Sequence, residues 1–244
     1  MPRFYCQSQD ISAHQIILSD KKQAHHLKNV LRLRSGDTVI IFDQQGNEYN
    51  CMIEKISDKI TLQIREKYPL SKNKVQLRIT IACAIPKKAK MDEIVDKLTQ
   101  LGVDEIIPLE TERVIVNIDK KKKELRLARW QKIALNASRQ SQRKQIPVVS
   151  PIKEIKEVLS NLGDFDLKLI PALFGKRSAL RGILEKAKAK NILVLIGPEG
   201  DFTPEEIALA TKAGCIPITL GDLVLRVDTA AIAAAGFIRL YADH

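Results

Sequence analysis

Cysteine, histidine and aromatic residues are scarce in this 244-residue chain, and each scarcity removes a class of function. Cys6, Cys51, Cys83 and Cys215 lie far apart without CxxC spacing, and only four histidines accompany them. Neither a metal site nor a disulfide framework is therefore expected. Free thiols buried in a reducing cytoplasm fit better, because three of the four sit within or beside apolar strand-like runs. No apolar run approaches the roughly 20 residues needed to span a bilayer, and Met1-Pro-Arg-Phe-Tyr5 lacks the core of a signal peptide. A soluble, cytoplasmic protein without a membrane partner is expected.

Acidic residues are also in deficit, at 29 against 40 Lys and Arg, for a formal charge of +11. The excess is local: residues 120–144 carry ten Lys and Arg against one Glu, whereas residues 145–244 carry 12 of each sign. A concentrated basic segment favours a polyanion, since each phosphate neutralised releases condensed counterions. A solvated basic face that promotes solubility is the alternative.

Periodicity divides the chain near residues 67–74, a polar, charge-rich stretch suited to a linker. Residues 1–70 read as a small β-rich domain, with strands at Thr38–Phe42, Glu48–Glu54 and Ile60–Lys67 and a helix-like piece at His25–Arg34. Residues 75–244 alternate strands with helices, the pattern of an α/β domain with a mainly parallel sheet. Strands are expected at Val75–Ala84, Glu105–Leu109, Val114–Ile118, Ile146–Val149, Leu167–Ile170 and Ile192–Ile196, and helices at Met91–Leu101, Ile152–Leu159 and Ser178–Lys190. A long helix should follow Asp119-Lys-Lys-Lys-Lys123 to about Ser141. On it Leu127, Trp130, Ala134 and Ala137 form an apolar stripe, opposite Arg129, Lys132, Asn136, Arg139 and Arg143.

Three strand-end loops, near 171–175, 197–202 and 219–226, are expected at one edge of the sheet, where α/β folds bind ligands. Gly197 and Gly200 would let a ligand approach the backbone. Thr203-Pro-Glu-Glu206 reads as a capped helix start next to them. An ordinary strand–helix turn would share this spacing. The absence of GxGxxG and GxxxxGK[ST] argues against a dinucleotide site or a P-loop, and no GxSxG supports a serine hydrolase.

Leu195-Ile-Gly-Pro-Glu-Gly-Asp-Phe-Thr-Pro-Glu-Glu206 and Leu220-Gly-Asp-Leu-Val-Leu-Arg-Val-Asp-Thr-Ala230 resemble the two signature motifs of the ribosomal RNA small subunit methyltransferase E family, within the SPOUT methyltransferases. His26-Leu-Lys-Asn-Val-Leu-Arg32 with Gly36-Asp37 resembles that family's PUA-like N-terminal domain, and Asp92–Val103 with Thr111-Glu-Arg113 its segment after the first methyltransferase strand. The resemblance implies an α/β SPOUT domain with a deep trefoil knot beside a small PUA-like β-barrel, a homodimer, and S-adenosylmethionine-dependent methylation of uridine N3 in 16S rRNA of the small ribosomal subunit.

By matching position, the resemblance places the cofactor against Leu173, Ile196, Gly197, Pro198, Gly200, Leu220, Gly221, Leu225 and Ala230. Arg226, within the third loop, is a candidate to stabilise the developing imide anion or the nearby phosphate, and Glu199 and Asp228 are candidate bases. Asp228 could equally cap the final helix. Candidate RNA contacts are Asn29, Arg32 and Arg34 in the first domain, and Arg129, Arg139 and Arg143 on the basic stripe. Asp222, Leu223 and Arg139 depart from the family's usual residues, which keeps in view a non-catalytic RNA-binding or assembly factor of the same fold; a methyltransferase acting on transfer RNA or a ribose hydroxyl is a separate and remoter alternative.

Overall fold

The computed structural model describes residues 1–43, 45–68, 77–86, 90–113 and 119–242. The expected strand at 114–118, and most of the expected linker, lie outside them. Contacts divide the chain into two compact units, residues 1–74 with 138–146, and residues 75–137 with 147–244.

The first unit is built on β1 (Arg3–Tyr5), β2 (Gln15–Leu18), α1 (Lys21–His25), β3 (Thr38–Phe42), β4 (Glu48–Ile56) and β5 (Ile60–Tyr68). Its sheet runs in the order β1-β3-β4-β5-β2, with β1 parallel to β3 and the other pairs antiparallel. Alternation sets the core. Tyr49, Cys51 and Ile53 of β4 point inward with Ile16, Leu18, Val39, Ile41 and Leu62, as a period of two requires. The Asp20 carboxylate caps α1 by accepting from the Lys22 and Gln23 N–H groups at 2.8 and 3.0 Å. The helix then widens into a π-helical turn over His26–Val30, closed by the Leu31 N–H on the His26 carbonyl at 2.9 Å.

The second unit follows the expected alternation. Its elements are β6 (Arg78–Ala84), α2 (Lys90–Gln100), β7 (Glu105–Glu110), α3 (Lys120–Gln140), β8 (Val148–Val149), β9 (Lys153–Glu154), α4 (Ile155–Leu159), β10 (Leu167–Pro171), β11 (Ser178–Ala179), α5 (Leu180–Leu184), β12 (Asn191–Ile196), α6 (Pro204–Lys212), β13 (Ile216–Thr219) and α7 (Val227–Ala242). Every strand pair is parallel, in the order β11-β13-β10-β12-β6-β7-β8, with β9 also on β7. Central strands are apolar throughout: β6 and β12 bury nearly every residue, as parallel strands covered on both faces must.

Two expected helices are shorter than their spacing implies. The one at Ile152–Leu159 begins as β9, and the one at Ser178–Lys190 is helical only over Leu180–Leu184, after the two residues of β11. From Glu185 to Lys190 no side chain is buried in the core, and a helix without a packed face is marginal in water. Of the strand expected over Ile146–Val149, only Val148 and Val149 pair.

Helix α3 departs from its expected two-sided pattern near its end. Trp130, Ala134 and Ala137 are buried as expected and Leu127 is half-buried. Arg139, however, is half-buried with its guanidinium 5.9 Å from the Tyr5 ring, so it does not share the open cationic face. The cause is that residues 138–146 pack into the first unit.

Candidate functional site

The ends of β10, β12 and β13 bring three loops together at the carboxyl edge of the eight-stranded sheet. They line an open, concave pocket, the kind of surface on which small molecules bind. Ala172, Leu173 and Arg177 line it from the first loop, Ile196 to Glu199 and Asp201 from the second, and Thr219 to Gly221 with Leu223 to Leu225 from the third. Val227 and Ala230, in the first turn of α7, complete the wall. Apolar side chains and main chain dominate, with Glu199, Asp201 and Arg177 as the charged groups.

Of the positions matched to a cofactor, Leu173, Ile196, Gly197, Pro198, Leu220, Gly221, Leu225 and Ala230 line this pocket, whereas Gly200 does not. The two glycines of the second loop also serve the protein itself. A Cβ at Gly197 would come within 3.1 Å of the buried Phe202 ring, so the glycine admits that ring into the core. Gly200 faces Arg113, whose Cδ lies 3.5 Å from where its Cβ would stand. Gly221, at φ +120°, occupies backbone space that other residues rarely adopt. Thr219 Oγ1 closes that turn, donating to the Gly221 carbonyl at 2.8 Å.

Helix α6 starts as its sequence predicts. Thr203 accepts from the Glu206 N–H at 3.2 Å while Glu206 accepts from the Thr203 N–H at 2.9 Å, a complete capping box. Glu206 does more than cap. It is buried, and its other carboxylate oxygen accepts from the Glu112 N–H at 3.0 Å, tying the loop after β7 to α6.

Asp201 and Arg113 are site residues that motif spacing did not single out. The Asp201 carboxylate accepts from the Leu173 N–H of the first loop at 2.9 Å and from the Phe202 N–H at 2.8 Å. Arg113 donates to the Gly200 carbonyl, and to the Asp201 carbonyl at 3.3 Å. Only the family-like segment Thr111-Glu-Arg113 hinted at the second residue; for the first, the signal was an acidic residue in a glycine-rich turn.

The three candidate catalytic residues are not gathered in one place. Glu199 lines the pocket, while Arg226 and Asp228 do not. Arg226 is exposed just before α7, and its carbonyl accepts from the Ala230 N–H at 2.8 Å. Asp228 is the second residue of α7 and so is not its cap. Its Oδ2 lies 3.7 Å from Lys90 Nζ, and its buried Oδ1 has no hydrogen-bond partner among the described residues. The thiol of Cys83, at the end of β6, is pushed up by burial and further by the negative charges of Asp228 and Glu199.

Asn29, Arg32 and Arg34 are all exposed around the turn that follows α1, with Arg32 at φ +52°. Arg129 is exposed but ion-paired with Asp92. Arg143 is half-buried. Among the described residues no group of three or more His, Cys, Asp or Glu side chains could hold a metal, and no helix is long and apolar enough to cross a membrane.

The RNA methyltransferase domain family matches residues 73–239, and the RNA methyltransferase PUA domain family matches residues 18–67. The ribosomal RNA small subunit methyltransferase E of Bacillus subtilis (strain 168) is 31% identical over 219 residues, spanning 87% of this chain and 85% of that protein. The chain belongs to the ribosomal RNA small subunit methyltransferase E family. The Rickettsia conorii member is 31% identical over 99% of this chain and 96% of its own. In three dimensions, the crystal structure of the Neisseria gonorrhoeae member bound to S-adenosyl methionine superposes with a TM-score of 0.85 at 31% identity, covering 99% of this chain and 98% of that one. The small N-terminal unit is thus a PUA domain, and the parallel α/β unit an RNA methyltransferase domain.

Proposed function

We propose that this chain is an S-adenosylmethionine-dependent methyltransferase that modifies ribosomal RNA of the small subunit, and that its acceptor is N3 of a uridine in 16S rRNA. The observation that carries the reading is the convergence of three strand-end loops, two bearing the family's signature motifs, on one pocket. The pocket fits the cofactor chemically. Leu173, Ile196, Leu220 and Leu225 offer an apolar slot for an adenine, main-chain groups of the loops offer hydrogen bonds to its edge, and Glu199 and Asp201 favour a cationic ligand.

S-adenosylmethionine, when bound, supplies a methyl group activated by a sulfonium. The chain's own residues have two remaining tasks, alignment and proton removal. Holding the acceptor nitrogen in line with the methyl carbon lowers the barrier by several kcal/mol, of order 7–11 in the best intramolecular cases. Uridine N3 becomes nucleophilic only as its imide proton leaves, and Glu199 or Asp228 accepts that proton. Arg226 then neutralises the negative charge developing on the imide, as positioned cations do at other reacting centres.

Residues 1–70 serve as the RNA-binding domain and 75–244 as the catalytic domain. Asn29, Arg32, Arg34, Arg129 and Arg143 contact phosphates, with the target base unstacked for reaction; Arg139, over the Tyr5 ring, shapes that surface. The family resemblance implies a deep trefoil knot in this domain, in which α7 packs on α2, β6 and β12. The active species is a cytoplasmic homodimer.

The test is to incubate the protein and labelled S-adenosylmethionine with unmodified small subunits and to map the product by mass spectrometry. 3-Methyluridine is the expected nucleoside. Label in a ribose or in transfer RNA would overturn the acceptor, and no label with RNA still bound would leave a non-catalytic assembly factor.

A further inference from the structure

Asp201 stands where backbone geometry favours glycine. Its φ is +63°, in the left-handed region, where a side chain costs about 1 kcal/mol and where Asp and Asn are the residues best able to offset it. A residue chosen only for the turn would be glycine, so what the carboxylate does there decides its role. One oxygen accepts from the adjacent Phe202 N–H at 2.8 Å, and the other reaches the Leu173 N–H at 2.9 Å. The second contact joins the first pocket loop to the second.

The surrounding contacts make that bond a lever. The Asp201 N–H is held by the Pro198 carbonyl at 2.9 Å, and the Asp201 and Gly200 carbonyls accept from Arg113. The second loop is therefore fixed from below, on β7's loop. The first loop is less anchored: its Ala172 N–H reaches the Ile218 carbonyl at 3.1 Å, but Phe174 is 80% exposed and Gly175 has φ +83°. Leu173 and Asp201 both line the pocket.

We infer that Asp201 is a positioning residue that sets the width of the cofactor pocket, by locking the Leu173 loop onto the Arg113-braced 197–202 loop. The inference rests on the cofactor reading above. Losing the lock leaves the fold intact, relieves the backbone, and lets the Leu173 wall open, so affinity falls while the reacting groups stay in place.

The experiment is a calorimetric titration of S-adenosylmethionine into the wild-type protein, Asp201→Asn and Asp201→Gly, with thermal melts of each. Asp201→Gly should melt no lower than wild type yet bind about tenfold more weakly, with Asp201→Asn, which keeps one acceptor oxygen, between them. In turnover assays the KM for the cofactor should rise in parallel, by a larger factor than any accompanying fall in kcat. A Gly variant that binds as tightly as wild type overturns the inference; if that variant fails to fold, Asn binding equal to wild type overturns it instead. Wild-type protein that gives no heat overturns the cofactor reading and this inference together.

Discussion

The two ends of the eight-stranded sheet use the same kinds of side chain for different ends. At the amino end, the Asp104 carboxylate accepts from the Ile79 N–H at 2.9 Å, and Asp166 accepts from the Lys190 and Asn191 N–H groups, both at 2.9 Å. Arg239 of α7 donates to the Leu77 carbonyl at 3.1 Å and to the Gly102 carbonyl, and pairs with Asp104 at 3.4 Å. These charges are spent closing the starts of strands. At the carboxyl end, Asp201, Arg113 and Glu206 brace loops around an opening, and the exposed Arg226 just before α7 has no side-chain hydrogen bond or ion pair among the described residues. Position along the strands, rather than residue type, separates charges that hold the fold from charges available for chemistry.

The sharpest test of that contrast pairs one arginine from each end. Arg226→Ala should lower turnover about 100-fold or more, the scale seen when a group that stabilises developing charge is removed, with unchanged cofactor affinity and melting temperature. Arg239→Ala should do the reverse. Removing it takes the cation from beside Asp104 and a donor from two carbonyls in a half-buried setting, at a cost of about 2–3 kcal/mol. For a chain of this size that corresponds to a melting point lower by roughly 5–10 °C, with kcat per folded molecule unchanged. A fall in turnover without loss of stability for Arg239→Ala would break the comparison.

A smaller effect is expected on the basic face of α3. Lys132 and Arg129 are exposed there, although Arg129 is tied to Asp92. Reversing both charges should raise the KM for small subunits about tenfold and flatten its salt dependence, because phosphate contacts release counterions, while kcat changes less. An effect confined to kcat would remove this face from RNA binding.

Much of this arrangement was legible in the sequence, and what was not has identifiable causes. The alternation of apolar runs disclosed the parallel sheet, because buried strands need unbroken apolar stretches, and the Thr203-to-Glu206 spacing disclosed the start of α6, because capping is local. Ser178–Lys190 misled because alternating Lys and Ala have helical propensity but no core to pack on, which only the tertiary fold decides. Gly197 was legible as a close approach, yet its neighbour is Phe202 as well as a pocket, and no spacing rule separates those. Arg139 looked like a stripe cation because helical periodicity ignores what packs at the helix end. The roles of Asp201 and Arg113 depend on contacts between residues up to 88 positions apart, which one-dimensional patterns do not encode.

The contrast between the two ends predicts its own exception. Thr203 lies at the carboxyl end, beside the pocket, but it is buried; its N–H and hydroxyl pair with Glu206 at the helix start, and the hydroxyl also donates to the Glu112 carboxylate at 3.5 Å. If burial and internal pairing mark a structural charge or dipole wherever it lies, Thr203→Ala should behave like an amino-end substitution. Loss of an N-cap hydroxyl costs about 1 kcal/mol, or roughly 2–4 °C of melting temperature. The Glu206 carboxylate still accepts from the Thr203-position N–H and from Glu112, so the loop should keep its place and the cofactor KM should stay within about twofold, the scale of a few tenths of a kcal/mol. A tenfold rise in that KM would mean that proximity to the pocket outweighs burial, and the distinction would have to be drawn at the loop rather than at the side chain.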